Sequence, residues 1–421
     1  MSLDDQDIGT VELDALEVPG LAGAIQQKFI EAEEGRYSEE IRWLKAYKNY
    51  RGITDSTTSY SSSEKSKVFI KITKVKVLAA FGQIIDILFS NNKFPITVSS
   101  TPVPEGIAEF AHIPSPEEQQ LSQDIGNTSL HDLGYDGENM DDFLAGLKEK
   151  YLGSTLIEGK SVFDTAQISP SQEAARNLEK QIHDQLMNTN AMTVLRHSIF
   201  ECCLLGTGII KGPFNFTKTI HSWKKENDEK TYEPYEKSIP KIEAVSCWDF
   251  YPDPTAVSLD DAEYVIQRHR YNREQLRNLI NRPHFDKESI DEVLSETPNY
   301  EVKSFESEIH SKEDSHLFVD KRYEILEYWG MLDAALAREF GLDVPHSISD
   351  LDSVQINAWI VGNTVIRLVL NPFLPARIPF YAFPYELNPY QLFGIGVAEN
   401  MEDSQILMNG HMRMAIDNLA L

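Results

Sequence analysis

A hydrophobic repeat of about four residues runs as far as Leu205, stops at Gly206 and gives way to a spacing of two. Leu178, Ile182 and Leu186 are four apart, and Met192, Leu195, Ile199 and Cys202 continue the stripe, which predicts one long helix over about 171–205. Gly206 ends it, because glycine enters the left-handed backbone region without a Cβ penalty. Residues 208–214 and 239–247 then read as strands, separated by a charged, hairpin-like stretch around 224–230. A chain that changes period in this way is neither a helical bundle nor a pure β-sandwich. The expected fold class is α+β.

The same reading extends along the chain. A helix is expected from Ile25 to about Tyr50, burying Phe29, Trp43, Leu44 and Tyr47. A Ser/Thr-rich loop follows at 54–66. A second helix over 67–90 carries Val77, Phe81, Ile84, Ile85 and Leu88 on one face. Lys65, Lys67, Lys71, Lys74 and Lys76 make its start basic; a solvated face is the plain reading, a contact with phosphate or an acidic neighbour the sharper one. Residues 264–270 read as a strand, and Asn272 as the N-cap of a short helix over 273–281. Residues 283–315 look charged and irregular. Strands are expected at 323–331, at 354–370 around a Gly362-Asn363 turn, and at 378–385. A last amphipathic helix, 397–421, places Val397, Met401, Met408, Met412, Ala415 and Leu419 on one stripe. Its acids Glu399, Glu402 and Asp403 lie near the N-terminus and His411 and Arg413 later, the order that the helix dipole favours. The helix is still in register at Leu421 with no cap, so a truncated product of a longer reading frame is expected.

At 421 residues two to three domains are expected. The N-terminal 24 residues read as an acidic arm and 25–100 as a helical part. Residues 101–170 hold 13 acids against three lysines and no arginine, the composition of a surface insertion. Residues 171–282 combine helix and strands, 283–319 connect, 320–390 are β-rich, and 391–421 form the closing helix. Lys and Arg total 39 against 66 Asp and Glu, a net charge of −27, which argues against a free-standing nucleic-acid binder driven by phosphate neutralisation. The three cysteines form no CxxC pair and read as reduced, packed thiols. With no basic n-region and no run near 18 apolar residues, a cytosolic or particle-associated protein without membrane contact is expected.

The search for chemistry finds no catalytic constellation. Leu205-Gly-Thr-Gly-Ile-Ile-Lys-Gly212 has glycines and a lysine, but the helix precedes the strand, the reverse of a phosphate cradle. Asp249, Asp253, Asp260, Asp261 and Glu263 are the densest carboxylate cluster. They could hold Mg²⁺ for phosphoryl transfer, although Tyr251-Pro-Asp-Pro is a turn composition in which Asp bonds its own backbone. The 11 histidines are dispersed, with no HExxH, and no GxSxG occurs. Catalytic residues, cofactors and bound metals are therefore all expected to be none.

Several phrases, in order, resemble the portal (head-to-tail connector) proteins of tailed bacteriophages, particularly short-tailed phages. They are Trp43-Leu-Lys-Ala-Tyr-Lys-Asn-Tyr-Arg-Gly with Ser66-Lys-Val-Phe-Ile-Lys-Ile-Thr-Lys-Val-Lys-Val and Ile84–Phe89; Glu201–Phe214; Trp248-Asp-Phe-Tyr-Pro-Asp-Pro through Asp261-Ala-Glu-Tyr-Val-Ile to Tyr271-Asn-Arg-Glu-Gln-Leu; Tyr323-Glu-Ile-Leu-Glu-Tyr-Trp-Gly; and Pro384–Glu399, closing with Asp403-Ser-Gln and Asp417-Asn-Leu. The resemblance spans about 40–100 and 190–421, while 101–170 matches no family feature.

It implies a portal fold with a helical and β wing over 25–280, a β-rich clip over 320–390 and a stem helix over 397–421, assembled as a closed ring of about twelve subunits. The family's tunnel loop, long helix and crown would all lie past Leu421. The implied role is a non-enzymatic channel at one capsid vertex for DNA packaging and ejection, made in the host cytoplasm and placed in the virion. Implied partners are further copies of the chain, the terminase large subunit, a tail adaptor, the major capsid protein and double-stranded DNA passing without sequence specificity. Repeated round such a ring, the acidic charge would repel the DNA backbone and lower friction. Glu399, Glu402, Asp403, His411 and Arg413 are the channel or subunit-interface candidates. Trp329 and Trp359 are the clip-contact candidates, with core anchoring as the plainer reading of both. Two rivals stand beside this: a metal-dependent nuclease using the Asp249–Glu263 cluster, and another structural protein of the particle that forms no ring.

Overall fold

In a computed structural model the residues described are 20–53, 66–89, 94–100, 170–226, 229–310 and 321–419. The acidic arm up to residue 19, the Ser/Thr-rich loop and the insertion at 101–169 lie outside them. The described residues form two units, one made of those up to 89 with those from 189 on, the other of those between 94 and 188.

The first unit opens with α1, Leu21–Arg51, closed by Gly52 in the left-handed region with Lys45–Arg51 basic at its end. Its N-terminal half buries Leu21, Ala22, Ile25, Phe29 and Ala32 against one face of a five-stranded antiparallel sheet. That sheet is β5 (Phe250–Pro252), β6 (Tyr264–Asn272), β7 (Arg322–Asp333), β8 (Ser353–Val361) and β9 (Thr364–Leu370), in that order. The opposite face packs Tyr323, Ile325, Trp359, Val361 and Ile366 on two helices, α5 (Arg273–Asn278) and α6 (Lys287–Ser295). Covering both faces explains why β8 is buried on consecutive residues from Ile356 to Val361, Asn357 included. The expected cap at Asn272 is present as a complete capping box with Gln275, and Gly362 supplies the positive φ of the β8–β9 turn.

A second sheet, ordered β10-β1-β4, is built from β1 (Thr207–Ile220), β4 (Tyr235–Val245) and β10 (Phe380–Pro384). Beyond it the chain continues as a short hairpin of β2 (Trp223–Glu226) and β3 (Glu229–Tyr232). The remaining helices are α2 (Ile72–Phe89), α4 (Ala191–Leu205), α7 (Ser304–His310), α8 (Ala334–Glu339), α9 (Val397–Asn400) and α10 (Glu402–Leu419). In the second unit α3 is Pro170–Asn188, where Glu179 accepts from the Val98 amide at 3.1 Å and His183 meets Phe94 edge-on.

Four expectations need correction. The single helix over 171–205 is two, because Asn190 takes a left-handed φ of 56°. The helix expected from Lys67 starts at Ile72, and 66–71 take no regular secondary structure. The stretch 283–319 is not a bare connection: Asp286 caps α6, whose Ile290, Val293 and Leu294 complete a core, while 311–320 lie outside the described residues. The β-rich 320–390 does not stand as a separate unit from 171–282, since β6 pairs β7 along nine residues and β10 pairs β1.

Candidate assembly surface and its supporting node

The phrases that carried the family resemblance meet in space. Trp43 of α1 packs edge-on against Trp248, ring centroids 5.4 Å apart, and against Phe393 at 4.9 Å. Gly206 has φ 104°, and its amide donates to Cys202 at 3.0 Å as the cap of α4. A Cβ there would strike the Gly394 backbone, so the glycine serves both the turn and the close approach of the 394–396 backbone. The Tyr385 amide donates to the Gly206 carbonyl at 2.8 Å and the Gly394 amide to Thr207 Oγ1 at 2.9 Å. This glycine turn therefore joins a helix to a strand and cradles no phosphate. Cys202, Cys203 and Cys247 are free buried thiols, and burial pushes Cys202 up to about 12 and Cys203 to about 11.

α9 and α10 are tied to α1 through two of the expected acids. Arg42 donates from Nε and Nη2 to the two oxygens of Glu399, at 3.2 and 2.7 Å, and Lys45 pairs with Glu402. Glu39, which also accepts from Arg42, has its carboxyl raised, because burial outweighs the arginine's charge and hydrogen bond. Asp403 and His411 are exposed. Arg413 is not: it is only 7% exposed, and its Nε donates to the Val68 carbonyl at 3.1 Å.

Arg413 belongs to a ladder. Gln405, Asn409, Arg413 and Asp417 recur every fourth residue on one helix face and grip the backbone from 66 into the first turn of α2. Gln405 Oε1 accepts from the Thr73 amide at 3.1 Å and from its hydroxyl at 3.0 Å, and Nε2 donates to the Ile70 carbonyl. Asn409 accepts from the Ile70 amide at 2.9 Å, and Asp417 from the Ser66 amide at 2.8 Å. Asp417, Arg413 and Asn409 meet Ser66, Val68 and Ile70. Four helical residues rise about 6 Å and two residues of a strand-like chain about 6.6 Å, so these three rungs stay in step, and Gln405 adds a fourth at the start of α2. The face buried in the chain is thus polar. Much of the apolar stripe points outward: Met408, Met412 and Leu419 are exposed, as are Ile406 (61%) and Leu407 (63%) beside them. Replacing Gln405 with Ala is expected to cost about 1–3 kcal/mol, because it strands a buried amide and carbonyl. Thermal unfolding checks this, and a loss under about 0.5 kcal/mol would show that water replaces the rung.

Trp329 and Trp359 are buried, 3% and 5% exposed, so their role as surface contacts is corrected to core anchoring. Glu327 sits in a cross-strand row Gln267–Glu327–Trp359–Arg367 through β6 to β9. It accepts from Lys211 Nζ, from His269 Nε2 at 2.7 Å and from Trp329 Nε1 at 2.8 Å. Lys211 also donates to Gln267 at 2.9 Å, pinning the β1 sheet to the five-stranded sheet. Burial opposes ionisation of Glu327, but the charge of Lys211 and the bond from His269 win and hold its carboxyl well below the usual range.

Three of the five carboxylates proposed for a nuclease, Asp249, Asp253 and Asp261, are engaged in structure, and Asp260 and Glu263 are exposed. Asp253 is buried and accepts from the Thr255 amide at 2.8 Å and hydroxyl at 2.7 Å and from the Glu263 amide at 3.3 Å, a turn role. Asp261 accepts from Ser258 and Asp249 from Arg270. Among the described residues no three His, Cys, Asp or Glu converge as metal ligands. A cavity of about 640 Å³ is lined by Tyr47, His197, Glu201, Asp249, Arg270 and Glu306. Its acids are tied down: Glu306 accepts from Arg268 and Arg270, and Glu201 from Ser246 at 2.7 Å and the Cys247 amide at 3.2 Å. Burial, helped by Asp249, raises the Glu201 carboxyl against those two bonds.

No helix among the described residues is long and apolar enough to cross a membrane. The family model described as phage SU10 portal protein matches residues 164–421, more than half of the chain. That span holds the glycine turn, both β-sheets and the laddered helix α10. The chain belongs to the phage SU10 portal protein family.

Proposed function

We propose that the chain is the repeating subunit of a ring at one capsid vertex, a channel through which double-stranded DNA is packaged and later ejected. The observation that supports this reading beyond family membership is the two-sidedness of α10. Its polar face is consumed inside the chain by the ladder, and its apolar residues point outward, an arrangement that makes sense when a neighbouring copy covers them. The contact is then heterologous, and a closed ring results when the rotation between copies divides the circle. Asp403 and His411, the exposed pair among the five polar candidates, are the side chains positioned to face the channel or a neighbour. Within this reading the chain performs no catalysis. The ring sits in the shell of major capsid protein, and its clip meets the terminase large subunit during packaging and the tail adaptor afterwards.

Negative-stain electron microscopy with native mass spectrometry tests the proposal. Closed rings of roughly twelve copies around an axial hole are the expected result. A compact particle with no hole would overturn it.

A further inference from the structure

β1 leaves its sheet part way along. Its pairing with β10 ends at Lys211↔Phe380, whereas its pairing with β4 continues for seven more residues, from Phe214↔Lys241 to Ile220↔Tyr235. At about 3.4 Å per residue this is a two-stranded ribbon of roughly 24 Å, and the β2–β3 hairpin extends it. Two strands alone are marginal in water.

The two faces differ sharply. Asn215, Thr217, Thr219, Glu236, Ser238 and Pro240 make one face small and polar. The other carries Phe216, Lys218 and Ile220 opposite Ile239, Lys237 and Tyr235. Phe216 and Tyr235 are exposed, as are Trp223 (65%) and Tyr232 at the far end, which lean on each other at 5.2 Å. Lys218 and Lys237 stand directly opposite, a like-charge pair that destabilises an isolated ladder. Among the described residues neither has an ion-pair partner. Residues 214–241 hold six lysines and five acids, in a chain whose net charge is −27.

We infer that this aromatic and basic face docks on an acidic, apolar surface of a second copy of the chain. The chain itself carries such a complement: on α10, Asp403, Ile406 and Leu407 lie at i, i+3 and i+4 and are all exposed. Ribbon and helix are different surfaces of one fold, so their contact is head-to-tail. The inference rests on the ring reading above and names the surface that joins its copies. In the complex an acidic neighbour neutralises the paired lysines, and the ribbon gains the apolar cover that two strands lack.

Sedimentation velocity on the 421-residue chain, from about 50 to about 500 mM salt, reads this contact. Assembly of the parent chain is expected to weaken as salt rises. Lys218→Glu with Lys237→Glu is expected to lower the association constant at least tenfold at low salt, with unchanged circular dichroism. Phe216→Ser with Tyr235→Ser, which alters no charge, is expected to give a comparable loss and guards against a folding defect in the first variant. Both variants assembling like the parent would overturn the ribbon contact and leave the ring reading standing. Loss of double-stranded DNA binding with intact self-association would also overturn it, assigning the face to nucleic acid. A parent chain that never associates removes both proposals together.

Discussion

Glu327→Ala is expected to destabilise the protein by about 3–5 kcal/mol, the cost of removing one partner from a buried ion pair. The variant leaves the Lys211 ammonium buried between two sheets, with Gln267 as its remaining acceptor, and takes the acceptor from His269 and the Trp329 indole at once. For the roughly 280 described residues of the first unit that corresponds to a fall in Tm of about 5–9 °C. A companion variant, Lys211→Met with Glu327→Leu, removes both charges and is expected to recover most of the loss, since apolar replacement of a buried pair is close to neutral. The pH dependence has a definite sign. The folded carboxyl lies below its unfolded value, so its contribution is complete above the ordinary carboxylate range and declines as pH falls through the depressed value. The gap between parent and Glu327→Gln is therefore full at neutral pH and narrows only in strong acid. A loss under about 1 kcal/mol at neutral pH would show that the network contributes little net stability.

Arg36→Ala is expected to cost a similar amount, about 3–5 kcal/mol. Arg36 is buried on α1, and its Nη1 donates to three carbonyls, Cys247 at 2.8 Å, Trp248 at 3.2 Å and Phe250 at 2.7 Å. Its Nη2 pairs with Glu40, and the guanidinium lies 3.7 Å from the Tyr251 ring centroid. One planar cation thus organises the whole turn that leads into β5. Alanine strands those carbonyls and opens a gap under Tyr251. Lysine restores charge but not the fork, so it is expected to recover less than half of the loss. Denaturant unfolding measures the size of the effect, and hydrogen exchange at 247–251 shows where it falls. Unchanged exchange there would sink the assignment of Arg36 as the organiser of that turn.

Both predictions concern side chains that local sequence disguises. Arg36 falls among Glu33, Glu34, Glu39 and Glu40, and Glu327 between Leu326 and Tyr328 in a strand pattern. Hydrophobic periodicity scores the first as solvated and gives no signal for the second. Each is buried because residues distant in the chain supply the partners: carbonyls more than 200 positions away for Arg36, and Lys211 for Glu327. The same blindness applies to α10. Its periodicity shows two faces without saying which is inward; the ladder to 66–73 claims Gln405, Asn409 and Arg413, and only the identity of that partner decides which side turns in.

What the sequence alone determined is the set of features whose cause lies within a few residues: the change of period at Gly206, the Asn272 cap, the Gly362 turn, and the α+β alternation itself. Order and spacing of five short phrases were enough to indicate the family; four of them supply Trp43, Gly206, Trp248 and Phe393, which lie together, and the fourth in order, Tyr323–Gly330, joins the second through Lys211 and Glu327. Tertiary structure alone decided that the strands of 250–272 and 322–370 share one sheet, that the two tryptophans of that sheet are core, and which face of α10 is free. The physical reason is the same in each case. Caps, turns and periodicity are settled by neighbours along the chain, whereas strand pairing and the burial of a charge depend on partners that only the folded chain brings within hydrogen-bonding distance.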